Sequence, residues 1–251
     1  MRFTKMQGLG NDFVVIDGPL DLDRAQTEAI CDRRFGVGAD GVLVVTAGNP
    51  IGMEYWNADG SPAEMCGNGL RCVARYAFDR GMVEAPEFVV DTPLGPRRVN
   101  VRSDEVEVEL GETRVTGHVS IDDAQYHLID VGNPHAVTIV GDPDTAPVSE
   151  IGPRVETDPQ FVDGTNVEFI AVRDGRVSMR VWERGVGETR ACGTGMVAAA
   201  MVASKAMGLT GVIPITAPGG EARVEFRDGV SWLTGPAEYS FTGELDLTDS
   251  A

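Results

Sequence analysis

The sequence predicts an α+β protein that consists of two similar lobes. The first observation is an internal repeat, because a cysteine followed by glycine stands at Cys66 and again, 126 residues later, at Cys192. The second is that short segments around each cysteine alternate apolar and polar residues, as half-buried strands do. The third is that each glycine-rich loop leads into a run of helix-forming residues. Each lobe is therefore expected to be rich in strands around one central helix that begins at its cysteine.

The first half of the chain supplies the elements of one lobe. A glycine turn and a strand are predicted over residues 10–18, and a helix that buries Cys31 over 22–34. A second helix is predicted from about Gly67 to Arg80, directly after Cys66. Further strands are predicted from their apolar content and alternation at 42–45, 53–56, 88–91, 97–102 and 106–110.

The second half repeats these elements in the same order. The matching segments are 132–140 with 10–16, 166–170 with 41–45, and 179–183 with 53–57. The helix after Cys192 is apolar on most faces, which predicts that it is buried all round. Because the composition loosens over 111–120, the sequence predicts a first lobe over residues 1–117 and a second over 118–251. The C-terminal strand is a candidate to complete the first lobe.

The charge balance excludes several classes of partner. The chain carries 39 acidic and 21 basic residues, a formal net charge of −18, and lysine occurs only at Lys5 and Lys205. Such a surface repels nucleic acid and anionic membranes. No segment approaches the roughly 18 apolar residues of a membrane span, and the N-terminus lacks the apolar stretch of a signal peptide. We therefore expect a cytoplasmic protein that binds neither nucleic acid nor membrane. Adaptation to high salt and an arginine-biased genome both explain the shortage of lysine.

The cysteines indicate free thiols rather than a disulfide scaffold or a metal site. Four cysteines in 251 residues are too few for a secreted disulfide framework. Cys66 and Cys72 are too far apart for a zinc-binding pair, and no cluster of histidines accompanies them. We therefore expect no bound metal, and free thiols in a reducing compartment.

Two cysteines at helix N-termini suggest a specific chemistry. The first N–H groups of a helix have no partner within the helix, so they bind anions, and the same position favours a thiolate. An amino-acid carboxylate bound there is stabilised as its α-proton leaves, because the developing negative charge meets backbone N–H groups. The residues expected to donate these groups are Gly67, Asn68, Gly193 and Thr194. A buried structural cysteine beside a glycine turn is the alternative at either position.

The repeat adds a second argument, since related lobes would place Cys66 and Cys192 face to face across a cleft. One thiol on each side of an α-carbon provides a base on one face and an acid on the other. Two thiolates so close would repel, so the pair would share one proton. Such a racemase needs no cofactor. An enzyme that uses pyridoxal phosphate needs a Schiff-base lysine, and neither Lys5 nor Lys205 is flanked by a recognisable cofactor site.

Several motifs resemble those of the diaminopimelate epimerase family. They follow one another in order along most of the chain, and the last two together are highly specific. They are Asn11-Asp12-Phe13, Cys66-Gly67-Asn68-Gly69-x-Arg71-Cys72, Gly132-Asn133-Pro134-His135, Asn166-Val167-Glu168, and Glu183-Arg184-Gly185-x-Gly187-Glu188-Thr189-x-Ala191-Cys192-Gly193-Thr194-Gly195. The resemblance implies a cofactor-independent epimerase that interconverts LL- and meso-diaminopimelate, a small amino-acid substrate, for lysine and peptidoglycan precursors. It also implies two lobes, each a mostly antiparallel strand barrel around a central helix, and a homodimer.

The resemblance also implies roles for individual residues. Cys66 and Cys192 are implied to be the acid/base pair. The substrate site is implied to contain Asn11, Asn57, Asn133, Asn166, Glu183 and Arg184, with the backbone of Gly67, Asn68, Gly193 and Thr194 at the reacting carboxylate. Arg184 suits a distal carboxylate through a bidentate contact, and Glu183 can accept a hydrogen bond from an ammonium group. His135, beside Asn133, either hydrogen-bonds near a cysteine or is a satisfied, partly buried histidine.

One position departs from the family pattern. Gly41 stands where some members of the family carry a glutamine that contacts the substrate. The resemblance therefore implies that this contact is lost or is made by another residue.

Two other functions fit parts of the pattern. The first is another two-cysteine amino-acid racemase of the same fold, acting on proline derivatives or histidine. Arg184 argues against it, because a substrate without a distal carboxylate would leave the arginine unpaired. The second is a non-catalytic, duplicated binding protein in which the cysteines form a structural disulfide.

Overall fold

The structure is a computed structural model that describes residues 1–63 and 66–246. Met65 of the first cysteine motif, and residues 247–251 of the predicted second lobe, lie outside the described residues. The chain divides into two compact units. The first unit contains residues 1–108 together with 235–251, and the second contains residues 109–234.

The described strands and helices are numbered in chain order. The strands are β1 (Arg2–Gly8), β2 (Asn11–Asp17), β3 (Gly41–Thr46), β4 (Ile51–Asn57), β5 (Glu87–Thr92), β6 (Gly95–Val101), β7 (Val106–Glu112), β8 (Arg114–Ile121), β9 (Ala124–Asp130), β10 (Pro134–Ile139), β11 (Asn166–Arg173), β12 (Arg176–Glu183), β13 (Gly187–Thr189), β14 (Ile213–Ala217), β15 (Gly220–Arg227), β16 (Val230–Gly235) and β17 (Glu238–Glu244). The helices are α1 (Arg24–Cys31), α2 (Gly67–Asp79), α3 (Val148–Glu156) and α4 (Gly193–Met207), with a short 3-10 helix at Pro143–Thr145.

The strands of the first unit form one hydrogen-bonded series. Its order is β17, β1, β2, β3, β4, β5, β6 and β7. The pairs β2–β3 and β4–β5 are parallel, and the other pairs are antiparallel. Parallel neighbours need a crossover connection, and α1 and α2 supply the two that this order requires.

The second unit repeats this topology strand for strand. Its order is β8, β9, β10, β11, β12, β14, β15 and β16. The pairs β10–β11 and β12–β14 are parallel, and α3 and α4 connect them. The additional strand β13 pairs with β12. The predicted α+β class and the internal repeat are therefore confirmed.

A buried helix stands at the centre of each unit, as the sequence predicts. Helix α2 packs against β1, β2, β3, β4 and β6, and its residues from Gly67 to Ala77 are buried. Helix α4 packs against β9, β10, β11, β12, β14 and β15, and its residues from Gly193 to Ala203 are buried. Small side chains on α4 let several strands approach one helix, and Gly208 ends it in the left-handed conformation, with φ 75°.

The helices between β2 and β3 and between β10 and β11 differ from expectation. Helix α1 is shorter than the predicted 22–34, because Asp23 caps its N-terminus and Asp32 leaves the helical conformation with ψ 122°. The Asp32 side chain then accepts hydrogen bonds from the N–H groups of the next turn. Helix α3 was not predicted, since Pro153 lies inside it and breaks the helical pattern of the sequence.

Helix length also bears on membrane insertion. Within residues 1–63 and 66–246, no helix is long and apolar enough to cross a bilayer. Even α4 spans 15 residues, whereas a crossing needs about 20.

Candidate active site

Cys66 is the N-cap residue of α2 in the first unit. Its backbone is extended, with φ −141° and ψ 113°, and its sulfur accepts a hydrogen bond from the N–H of Gly69 at 3.4 Å. The thiol therefore occupies the place that serine or aspartate usually fills at a helix start. It is half-buried and lies within the partial positive charge of the helix N-terminus.

Asn11 joins Cys66 to the start of α2. Its side-chain oxygen lies 3.4 Å from the Cys66 sulfur and 3.3 Å from the side-chain nitrogen of Asn68. The structure thus brings three of the predicted site residues into one hydrogen-bonded group. Gly67 lies between Cys66 and Asn68 as the first residue of the helix.

Asn57 is anchored elsewhere in the first unit. It ends β4, and its side chain donates to the hydroxyl of Ser61 at 3.0 Å. Its backbone N–H donates to the Ser61 carbonyl at 2.9 Å. These bonds hold the Asn57 amide in the turn that follows its own strand.

Gly41 faces Asn57 across the β3–β4 pair and has no room for a side chain. A Cβ atom there would lie 2.5 Å from the carbonyl oxygen of Trp56 and 2.6 Å from the ring of Tyr55. Contacts this short require the backbone to move. The packing of β4 therefore explains locally why glycine, and not glutamine, occupies this position.

Cys192 is the corresponding N-cap residue of α4 in the second unit. Its sulfur accepts a hydrogen bond from the N–H of Gly195 at 3.4 Å and lies 3.4 Å from the hydroxyl of Thr194. A Cβ on Gly195 would lie 2.8 Å from a carboxylate oxygen of Glu168, which explains the glycine at this position. Unlike Cys66, Cys192 is buried, and Gly193 begins the helix beside it.

Glu183 acts electrostatically on the Cys192 thiol. The Glu183 carboxylate accepts a hydrogen bond from the hydroxyl of Thr189. Burial raises the pKa of Cys192 well above its usual value, and the carboxylates of Glu183 and Glu168 raise it further. Burial likewise raises the pKa of Glu183. Both groups are therefore biased toward their protonated forms.

Asn133 and His135 extend the group around Cys192. The Asn133 side-chain nitrogen donates to the Thr194 hydroxyl at 3.3 Å, and its oxygen lies 3.0 Å from Nε2 of His135. Nδ1 of His135 lies 2.6 Å from Glu168, and neither side chain is exposed to solvent. A continuous series of hydrogen bonds thus runs from Glu168 to Cys192.

Glu168 is a member of this hydrogen-bonded group that the sequence alone did not predict as a site residue. It lies in β11 between Val167 and Phe169, and its second carboxylate oxygen is buried with no hydrogen-bond partner among the described residues. A buried acid within an apolar strand requires a partner, so its place in that strand was the available signal. His135 lies next to Asn166 across the β10–β11 pair, and its side chain is bonded to the Glu168 carboxylate and to the Asn133 side-chain oxygen.

Asn166 and Arg184 form a second group in the same unit. The Asn166 amide donates to the carbonyl of Pro134 at 2.9 Å and accepts from the backbone N–H of Arg184 at 3.0 Å. The Arg184 side chain is exposed, and it donates to the carbonyl of Asp163 at 3.2 Å. A Cβ on Gly164 would lie 3.3 Å from the Arg184 stem. Asn166 thus fixes the backbone of Arg184, while the Arg184 guanidinium is exposed to solvent.

In the part of the chain that the structure describes, none of the four cysteines is joined in a disulfide bond. Cys31 and Cys72 are buried, and burial raises the pKa of Cys31 to about 11 and that of Cys72 to about 12. These two thiols are therefore inert at neutral pH. Within the described residues, no group of three or more His, Cys, Asp or Glu side chains is arranged to hold a metal ion.

Comparison with known proteins gives a consistent family. The sequence model of diaminopimelate epimerase matches residues 3–116 and, a second time, residues 127–240. A diaminopimelate epimerase from Alkalilimnicola ehrlichii is 41% identical, covering 98% of this chain and 99% of its own. Another, from Pelotomaculum thermopropionicum, is 40% identical, covering 97% of this chain and 98% of its own.

A solved structure supports the fold independently. A hydroxyproline epimerase from Agrobacterium vitis superposes with a TM-score of 0.74, covering 100% of this chain and 93% of that chain. At 16% sequence identity this likeness shows the fold alone.

Proposed function

The chain belongs to the diaminopimelate epimerase family, and we propose that it interconverts LL- and meso-diaminopimelate with two cysteines and no cofactor. The observation that carries the proposal is a match to this family along nearly the whole chain. Each matched repeat contains one cysteine at the N-terminus of a buried helix. The function proposed belongs to the synthesis of lysine and peptidoglycan precursors.

The proposed reaction transfers protons only. One cysteine, as thiolate, takes the α-proton, so that a C–H bond breaks, an S–H bond forms and the electron pair is delocalised into the carboxylate. The other cysteine, as thiol, then gives its proton to the opposite face of the α-carbon. The reverse reaction starts from the exchanged protonation states, so Cys66 and Cys192 each serve as acid in one direction and base in the other.

The helix N-termini supply the stabilisation that this step needs. Charge develops on the substrate carboxylate as the α-proton leaves, and preorganised N–H donors favour that charge over the ground state. We assign this role to the backbone of Gly67, Asn68, Gly193 and Thr194. Asn11 and Asn133 support it, since each is bonded to the residue two positions after its cysteine.

We assign to Glu183 the role of local proton acceptor for Cys192. Forming the Cys192 thiolate requires that its proton goes to a nearby base, and the Glu183 carboxylate lies close enough to raise the pKa of that thiol. Because burial raises the pKa of Glu183, the carboxylic acid that results is less costly than at a solvated site. The role expected from the sequence, acceptance from a substrate ammonium group, is compatible with the remaining acceptor capacity of this carboxylate.

Substrate selectivity is assigned to Arg184. Its exposed guanidinium can bind the distal carboxylate through two hydrogen bonds, and Asn166 fixes the backbone from which it projects. Asn57 remains a proposed contact of the same substrate. A shorter amino acid without this carboxylate would leave the arginine unpaired, which disfavours proline derivatives.

The proposal is tested with purified protein and LL-diaminopimelate in deuterated water. We expect loss of the α-proton NMR signal and formation of the meso isomer without added pyridoxal phosphate. Cys66→Ser and Cys192→Ser should reduce turnover by about 10²- to 10⁴-fold while far-UV circular dichroism is unchanged. Cys72→Ala is the matched control and should retain turnover. Exchange with proline or histidine but not with diaminopimelate would refute the proposed substrate, and wild-type turnover in either serine variant would refute the two-cysteine mechanism.

We further propose a cytoplasmic homodimer, as the family resemblance implies. Analytical ultracentrifugation at micromolar concentration distinguishes a dimer from a monomer. Fractionation of the native host locates the protein. A monomer that is fully active, or recovery from outside the cytoplasm, would contradict these two proposals without affecting the chemistry.

A further inference from the structure

The side chain of Arg71 anchors one end of a polar chain in the first unit. Arg71 lies in α2 and is completely buried. It donates to the carbonyls of Pro236 at 3.1 Å and Gly67 at 3.3 Å, and to the side-chain oxygen of Asn68 at 2.9 Å. A guanidinium has no acceptor, so the Asn68 amide must turn its oxygen toward Arg71. Its nitrogen therefore points the other way, toward Asn11.

Asp40 anchors the other end of this chain. One of its carboxylate oxygens accepts from the Asn11 side-chain nitrogen at 2.7 Å and from the Asp12 backbone N–H at 3.1 Å. The other oxygen accepts a charge-assisted hydrogen bond from Arg33 at 2.6 Å. An ionised carboxylate has no donor, so the Asn11 amide must turn its nitrogen toward Asp40.

The two anchors therefore determine which atom Asn11 presents to Cys66. Every hydrogen bond runs in one direction, from Arg71 through Asn68 and Asn11 to Asp40. The Asn11 oxygen is left facing the Cys66 sulfur at 3.4 Å, where it accepts from the thiol. An amide oxygen in this place favours the S–H form, whereas an amide nitrogen would favour the thiolate.

We propose that Asp40 and Arg71 are positioning residues that fix the Asn11 amide with its oxygen toward Cys66, and so set the proton-donating form of that thiol. The importance of this positioning for catalysis rests on the function proposed above. Neither anchor touches the thiol's sulfur through the bonds described, and each acts through an asparagine amide.

The second unit shows that the group bonded to the far side of the asparagine amide determines which way the amide points. Asn133 stands beside α4 as Asn11 stands beside α2, yet it turns its oxygen toward His135 and its nitrogen toward Thr194. The neighbour of this amide is an imidazole and not a carboxylate. The Thr194 hydroxyl accepts the hydrogen bond from the Asn133 nitrogen. It can then donate its own proton to the Cys192 sulfur, which lies 3.4 Å away. Cys66 therefore faces a hydrogen-bond acceptor, the Asn11 oxygen, whereas Cys192 faces a hydroxyl that can donate.

The test compares two replacements of Asp40, which is partly exposed and tolerates substitution better than Arg71. Asp40→Asn keeps an oxygen that accepts from Asn11, whereas Asp40→Ala removes the acceptor. The rate of Cys66 alkylation by iodoacetamide at pH 7 is measured by peptide mass spectrometry, relative to the rate for the fully ionised thiol. We expect Asp40→Ala to raise this ratio about 3- to 10-fold and Asp40→Asn to leave it within a factor of two of wild type.

A double-mutant cycle separates positioning from a direct charge effect. If Asp40 acts through Asn11, Asp40→Ala changes nothing further in an Asn11→Ala background. Equal shifts in both Asp40 variants, or the full Asp40→Ala shift without Asn11, would show that only the charge matters and would overturn the proposal. An unchanged ratio in Asp40→Ala would overturn it as well.

Epimerisation gives the second readout. We expect Asp40→Ala to lower kcat more than it changes KM, and Asp40→Asn to recover most of kcat. Arg33→Ala is the control, since it removes the charge partner of Asp40 but leaves the acceptor for Asn11 in place. Alkylation does not depend on turnover, so a failure of the proposed function and a failure of the positioning role give different results.

Discussion

His135 and Glu168 form a buried pair in the second unit, 2.6 Å apart, where the first unit has two apolar side chains. The registers of β2–β3 and β10–β11 match, and they place Phe13 in the position of His135 and Leu43 in that of Glu168. Phe13 and Leu43 are fully buried. A Cβ on Gly69 would meet Leu43, just as one on Gly195 would meet Glu168. The same arrangement of strands therefore carries an apolar pair in the unit that contains Cys66 and a polar pair in the unit that contains Cys192.

This relationship predicts that the apolar pair can be transferred. Glu168→Leu alone removes the hydrogen-bond partner of Nδ1 of buried His135 and should cost about 1–3 kcal/mol of unfolding free energy. The double variant His135→Phe with Glu168→Leu reproduces the pair of the first unit and should recover most of that loss. Urea unfolding measures both values.

Activity should respond in the opposite way. The double variant lacks the imidazole that orients Asn133, so its epimerisation should stay at least about 10-fold below wild type despite its recovered stability. A double variant as unstable as Glu168→Leu would show that the two positions are not equivalent. Full activity would show that the polar pair has no part in the reaction.

Much of the fold could be predicted because the repeat imposes it. Apolar alternation predicted strands such as β6 and β7, and the apolar run after Cys192 predicted that α4 is a buried helix. Helix α3 could not be predicted, since Pro153 and Gly152 oppose helix formation, whereas in the folded chain Val148 and Val155 pack into a core cluster and Gly152 lies against Trp182.

The site was less accessible to sequence reasoning. Cysteines beside glycines mark helix starts, so Cys66 and Cys192 were recognisable. Asp40 and Glu168 act through contacts between residues 28 to 33 positions apart, and no local pattern encodes such pairs. Which way an asparagine amide points depends on the group at its far side, and that group is known only from the folded chain.

The buried thiol of Cys72 predicts a loss of stability at alkaline pH. Burial raises the pKa of Cys72 from 9.0 to about 12, so above pH 9 the unfolded chain releases this proton and the folded protein keeps it. The contribution is fully present below pH 9 and is lost as pH rises toward 12. Each pH unit in this window should cost about 1.4 kcal/mol.

The measurement compares wild type with Cys72→Ala. Urea unfolding at pH 8, 9, 10 and 10.5 gives the pH dependence of each protein, and the variant should lose stability less steeply above pH 9. The difference removes the contributions of other groups that both proteins share. Parallel curves would show that Cys72 ionises normally in the folded chain.

Arg184 should control selectivity for a substrate with two carboxylates. Arg184→Ala removes a charge-assisted contact worth about 1.5–3 kcal/mol, so kcat/KM for diaminopimelate should fall about 10- to 150-fold. Arg184→Lys keeps the charge but not the planar pair of donors. Its kcat/KM should lie between those of wild type and Arg184→Ala. Steady-state kinetics measure these values.

The control for Arg184 is Arg173→Ala in the same unit. Arg173 is exposed and bonds the carbonyl of Gly141, away from the groups assigned to the substrate. It should keep wild-type kcat/KM. An Arg184→Ala variant with unchanged selectivity against substrates that have one carboxylate would place the distal site elsewhere.

Gly41 should tolerate no side chain, although the family resemblance implies that a glutamine can stand at this position. A Cβ at Gly41 would lie 2.5 Å from the Trp56 carbonyl oxygen, so Gly41→Ala should destabilise the protein by about 1–3 kcal/mol. Gly141→Ala is the matched control, because no atom of the described residues lies within 4 Å of its added Cβ. It should change the unfolding free energy by less than about 0.5 kcal/mol. An equally small change in the unfolding free energy of Gly41→Ala would show that β4 moves easily at Trp56. In that case Gly41→Gln could introduce the glutamine side chain without loss of stability.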